Sequence, residues 1–189
     1  MRAPLQPHHA GPMTPQDTAR GIIDTNHYLT LATADRDGRP WASPVYYTPD
    51  NGGDFYWVSR PDSRHSRNLT DRPEVGIVIY DSRVPLFAAE AVYLTAHAEQ
   101  VGEPELERCA DLFRGRLPEL RSFGPEKLRA PAPLRLYRAH ALEASVLLRD
   151  DGPDIRVPIE VPVQCARAFP AVEGHHTQEM SRARFAADR

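Results

Sequence analysis

Cysteine is nearly absent: the 189 residues hold only Cys109 and Cys165, far apart and outside any CxxC or Cys/His ligand spacing. That excludes a disulfide framework and a zinc site built on cysteine, and it fits a reducing, cytoplasmic setting. No apolar run approaches the roughly 18 residues a membrane-spanning helix needs, so neither a signal peptide nor a membrane span is expected. A strong net charge is missing as well. With a formal value of -3 there is no global basic field, and nucleic acid is disfavoured as a partner. Any anion the chain binds must meet a local cluster of cations. There is no GxSxG elbow, no Walker-type glycine loop and no internal repeat, which sets aside serine-hydrolase and kinase chemistry.

What remains is a chain of one-domain length with punctuated strand signals. The proline-rich residues 1–13 and the residues 169–189 read as flexible tails around a domain at 14–168. Thr14-Pro15-Gln16-Asp17 opens a helix running to about Thr25, with a capping hydroxyl, proline in the first turn and an acid on the dipole. Strands are expected at His27–Ala34, Pro40–Tyr47 and Phe55–Ser59, joined by turns around Gly38 and Asp50-Asn51-Gly52-Gly53-Asp54 into a continuous antiparallel meander. Ser63–Leu69 reads as a short helix and Glu74–Tyr80 as a strand with Val75, Ile77 and Ile79 on one face. Ala88–Val101 reads as a longer strand. A helix from Pro104 carries the stripe Leu106, Cys109, Ala110, Phe113 and Leu117. Leu134–Leu148 and Ile155–Val163 complete a mainly β pattern of six to seven antiparallel strands with flanking helices, closed or nearly closed because closure removes exposed edges.

The stretch most able to carry chemistry is Trp57-Val58-Ser59-Arg60-Pro61-Asp62-Ser63-Arg64-His65-Ser66-Arg67. It leaves a strand, turns and enters a helix while presenting several cationic groups. Helix-start amides, the hydroxyls of Ser59 and Ser63 and the Arg64 guanidinium suit a phosphate. On residue types alone, a solvated basic loop whose arginines balance nearby aspartates fits equally well. The aromatics Trp41, Tyr46, Tyr47, Phe55, Tyr56 and Trp57 alternate on strands without basic interleaving and read as core. His97 and His140 read as structural. His175 and His176 lack a carboxylate partner at ligand spacing, so no metal site is expected.

Order along the chain goes further. Ser59, then Ser63-Arg64-His65, then Arg72-Pro73-Glu74-Val75 fall where the FMN-binding split barrel of the pyridoxamine 5'-phosphate oxidase family has a strand-ending hydroxyl, a Ser-Arg-Lys helix opening and an Asn-Pro-x-Val strand start. The run Leu29–Val101, about two-fifths of the chain, resembles that family. The resemblance implies a split β-barrel homodimer with FMN at its interface. Arg64, His65 and Ser59 would grip the phosphate, with Ser63 and Val58 beside them and Arg67 compensating. Ser43, Pro44, Val45, Tyr46, Tyr47 and Thr48 would line the ribityl chain and flavin ring, and Glu90 and Ala91 would come from the partner subunit. Two departures stand out: His65 replaces the family's usual lysine, and Ser43 stands where an arginine often begins the flavin-contacting strand. The ending Ser181–Arg189 lacks the substrate-holding close of the vitamin B6 oxidases, so pyridoxamine phosphate is not the expected substrate. The implied activity is FMN-dependent oxidoreduction of another small molecule, with a reduced nicotinamide as donor and no catalytic acid or base placed by the sequence. A deazaflavin-dependent reductase and a non-catalytic flavin- or haem-binding module are the alternatives.

Overall fold

The computed structural model describes residues 13–86, 88–148 and 155–163. Cys165, His175, His176 and the tails expected at 1–13 and 169–189 lie outside them, save for Met13. Helix α1 spans Pro15–Thr25 and opens as its sequence dictates: the Thr14 hydroxyl accepts from the Asp17 amide, and the Asp17 side chain reaches back to the Thr14 backbone. It buries Ala19 and Ile23 against the barrel.

Eight strands follow among the described residues: β1 (Tyr28–Ala34), β2 (Pro40–Tyr46), β3 (Thr48–Pro49), β4 (Asp54–Ser59), β5 (Glu74–Tyr80), β6 (Ala91–Gln100), β7 (Arg135–Leu147) and β8 (Arg156–Ile159). All ladders are antiparallel, in the order β2-β1-β5-β6-β7-β4-β3, with β8 beside the distal half of β7. Helix α2 (Arg64–Asp71) lies between β4 and β5, and α3 (Glu103–Gly115) between β6 and β7.

Gly38, at φ 84°, closes the β1–β2 hairpin, while Asp35 Oδ1 accepts the amides of Asp37 and Arg39. The Asp50–Asp54 turn works likewise, with Asp50 Oδ1 taking the Gly52 and Asp54 amides and Gly53 at φ 90°. It does not continue a meander, however. The expected strand Pro40–Tyr47 ends at Tyr46, with the Tyr47 amide still bonded to His27 O as a last rung beside β1 and its hydroxyl donating to Ile23 O. The hairpin that reaches β4 therefore starts from the two-residue β3, and β4 takes β7 as its long partner. That break supplies the eighth strand. Strands β2 and β4 come close without a ladder between them, which is the split in the barrel.

The interior cluster includes Leu29, Leu31, Val45, Phe55, Trp57, Ile77, Ile79, Val92, Leu94 and Val146. A second cluster lies under α3, where Leu106, Cys109, Ala110 and Phe113 meet Tyr56 and Leu136. Leu117 packs at its margin but falls beyond the helix, which ends at Gly115.

Candidate functional site

Strand alternation decides which residues can meet. On β4, Tyr56 and Val58 face α3, whereas Phe55, Trp57 and Ser59 follow the interior side. On β2, Trp41, Ser43 and Val45 share the interior side, while Tyr46 packs towards the α3 cluster. The chain then turns at Pro61-Asp62 and enters α2 with Ser63 as N-cap, its Oγ accepting from the Ser66 amide. The first-turn amides of α2 are left without intrahelical acceptors, and the positive end of the helix faces the same place.

There the side chains converge. His65 Nε2 lies 2.7 Å from Ser59 Oγ and 3.1 Å from Ser63 Oγ, and its Nδ1 lies 3.1 Å from Ser43 Oγ. Ser59 and Ser63 are 3.3 Å apart, and Ser63 donates to the buried Ser66 at 2.9 Å. The imidazole thus bridges the split, with Ser43 of β2 on one side and Ser59 of β4 on the other. Burial holds its pKa below the ordinary imidazole value. The Trp41 indole N–H donates to Ser43 Oγ at 3.0 Å, and the Arg64 guanidinium lies 4.5 Å from the Trp41 ring centroid and 4.0 Å from Asp35. Arg67 reaches back to the Asp62 carbonyl at the same helix start. Beneath the helix, buried Asn68 donates to Thr33 Oγ1 at 2.9 Å and ties α2 to β1.

Of the residues singled out from the sequence, Ser43, Ser59, Ser63 and His65 form this cluster, with Arg64 and Arg67 on its rim. Val45 is a core side chain, the Tyr47 hydroxyl is bound to Ile23 O, and Thr48 Oγ1 donates to Phe113 O at 3.0 Å. Val58 faces away towards α3, Tyr46 packs edge-on to Tyr28, and Pro44 is exposed. Glu90 and Ala91 are not brought to the cluster within one chain. Ala91 pairs with Tyr80 and Leu147, at the far end of β6 from Gln100, roughly 30 Å along the strand.

Trp41 is the correction to the core reading of the aromatics. Tyr47, Phe55, Tyr56 and Trp57 are buried, but Trp41 is 40% exposed and belongs to the site. The Trp41-x-Ser43 spacing, two residues along one strand face, carried that signal. His97 and His140 are exposed, and His140 Nδ1 lies 2.7 Å from Asp54. Among the described residues no cluster of His, Cys, Asp and Glu suits a metal ion, and no helix is long and apolar enough to cross a membrane.

The Ser59 hydroxyl, an imidazole, a guanidinium and a helix start form a donor set suited to a phosphate. The fold is shared with a haem-binding protein from Mycobacterium smegmatis (21% identity, TM-score 0.62), covering 77% of this chain and 58% of that one. It is shared with HutZ, the haem storage protein from Vibrio cholerae (22% identity, TM-score 0.57, 72% and 96% covered). An FAD-binding protein from Mesorhizobium loti also has it (17% identity, TM-score 0.55, 68% and 91% covered). No curated protein sequence matches the chain. The pyridoxamine 5'-phosphate oxidase family model matches residues 15–145, from the first turn of α1 into β7 and through the whole hydroxyl cluster. With that match extending over most of its length, the chain belongs to the pyridoxamine 5'-phosphate oxidase family.

Proposed function

We propose that this protein binds FMN through its phosphate and is an FMN-dependent oxidoreductase acting on a small molecule. The observation that carries the reading is His65, held across the barrel split between Ser43 and the Ser59–Ser63 pair at the start of α2. Ser59 would donate to a phosphate oxygen, His65 would add Nε2, and Arg64, still stacked on Trp41, would add its charge from the rim. FMN, when bound, supplies hydride or electron transfer, and the protein supplies position and electrostatics. Family membership and the FAD-binding relative support a flavin. The haem-binding relatives support a binding module of the same fold, and the donor set here favours a phosphate over a haem iron.

Two copies complete the site in this reading. The outer sheet face forms a groove of about 900 Å³ lined by Ala32, Gly76, Val78, Tyr93, Leu142 and Ile159 among others. In this reading two such faces pack about a two-fold axis so that Glu90 and Ala91 of one copy would meet the cluster of the other.

Reconstitution followed by absorption spectroscopy tests the proposal. Stoichiometric FMN with bound-flavin bands is expected, and Arg64→Ala should weaken binding by about 2 kcal/mol, one charge-assisted hydrogen bond. A deazaflavin or a haem bound in place of FMN, or an Arg64→Ala protein that binds as tightly as the parent, refutes it. Oxidation of a reduced nicotinamide by the loaded protein separates an enzyme from a binding module.

A further inference from the structure

The indole of Trp41 can only donate a hydrogen bond, and it donates to Ser43 Oγ. That takes one of the two acceptor positions on Ser43 Oγ, and His65 Nδ1 is the acceptor its own proton meets among the described residues, so this side favours Nδ1 as the acceptor. The other side of the ring gives the same answer independently. Ser63 spends its proton on Ser66 Oγ, so towards Nε2 it can only accept. The arrangement that satisfies all of these contacts together places the hydrogen of the uncharged imidazole on Nε2, aimed at the hydroxyl pair, with its bare nitrogen turned to Ser43. The Trp41 ring meanwhile carries the Arg64 guanidinium at 4.5 Å, beside Asp35.

We propose that Trp41 is a positioning residue of the anion site: through Ser43 its N–H selects the Nε2–H tautomer of His65, and its ring parks Arg64 beside the cluster. The inference rests on the phosphate-site reading and deepens it. It means that His65 offers a donor to an anion whether or not the ring is charged. Trp41 itself, 40% exposed at the start of the edge strand β2, adds little to the core.

The first test needs no ligand. In the full chain labelled with ¹⁵N-histidine, above the ring's titration, His65 is identified by the resonance lost in His65→Asn. The parent should show a pyrrole-like Nε2 and a pyridine-like Nδ1. Trp41→Phe, which keeps a ring under Arg64 and removes only the N–H, should drive this pattern towards a mixture of tautomers, and Ser43→Ala should do the same. An unchanged pattern in folded Trp41→Phe, or a parent carrying hydrogen on Nδ1, overturns the inference. The second test is a double-mutant cycle in FMN affinity. Trp41→Leu should bind about threefold more weakly than Trp41→Phe, which lacks the N–H as well but keeps a ring, the scale of an exposed cation–π contact, and that factor should vanish in an Arg64→Ala background. Independent, multiplying effects overturn the parking role. If the parent binds no FMN while the tautomer shift occurs, the cofactor reading fails and the control of His65 by Trp41 stands.

Discussion

Replacing His65 by lysine probes the site most directly, because it exchanges a titrating donor for a permanent charge at one position. In the ligand-free protein the ring is half-buried among Ser43, Ser59 and Ser63, with no carboxylate among its hydrogen-bond partners, and burial holds its pKa below the ordinary value near 6.5. The sign follows. As pH falls through the ordinary value towards the lower folded one, the unfolded chain takes up the proton first, so His65 costs stability there and nothing at pH 8. A bound phosphate reverses the direction, because a nearby anion favours the imidazolium, and binding is linked to proton uptake. Above the raised value the parent loses that charge and keeps its Nε2–H hydrogen bond. An anion taking Ser59 as donor sits within a few ångströms of Nε2, itself 2.7 Å from that oxygen. Two unit charges about 4 Å apart gain about 4 kcal/mol at an effective dielectric near 20. Half exposure of the site and the ring bonds that lysine forfeits reduce this to about 1.4 kcal/mol, or roughly tenfold. FMN titrations followed by quenching of flavin fluorescence at pH 5.5, 7 and 8.5 should give a Lys-to-His affinity ratio near one at the lowest pH and about ten at the highest. The second ionisation of the phosphate, near pH 6, acts on both proteins and largely cancels in the ratio. A ratio independent of pH, or a parent that binds more tightly at pH 8.5, refutes the placing of His65 against the phosphate.

Arg116 donates to the carbonyls of Ile23 at 3.1 Å, Asn26 at 2.7 Å and Tyr47, and lies over the Tyr47 ring at 4.5 Å, joining α1, the β2–β3 junction and the end of α3. Arg116→Met should cost about 3 kcal/mol and lower Tm by about 9 °C in a calorimetric scan; a shift under about 2 °C refutes the tie. Asn68→Ala strips the buried Thr33 hydroxyl of its donor and should move the urea midpoint by the equivalent of about 1–2 kcal/mol with an unchanged slope, whereas an unchanged midpoint would mean that the Thr33 contact adds nothing. Val78→Asp, in the outer groove, should turn a sedimenting dimer into a monomer and weaken FMN binding with it; a parent that sediments as a monomer and binds FMN tightly disproves the two-copy site.

Local rules made much of the fold legible. The capping box at Thr14 and Asp17, the positive-φ glycines at 38 and 53, and β5 from Glu74 to Tyr80 all depend on neighbours within a few residues, where capping, turn chemistry and period-two burial act. The helix start at Ser63 and the residue types of an anion site were legible for the same reason. Pairing beyond the hairpins was not. That β4 takes β7 rather than β2 is a pairing between segments far apart in the chain, which no window around Pro40–Tyr47 contains. The exposure of Trp41 was hidden likewise, since a strand's period says which face a ring occupies but not what covers that face. Local rules along the chain specify the elements, the turns and the presence of hydroxyls and cations near residue 63. The meeting of Ser43 with His65, 22 residues away, is a matter of long-range packing, because it requires the barrel to bring β2 and β4 side by side without pairing them.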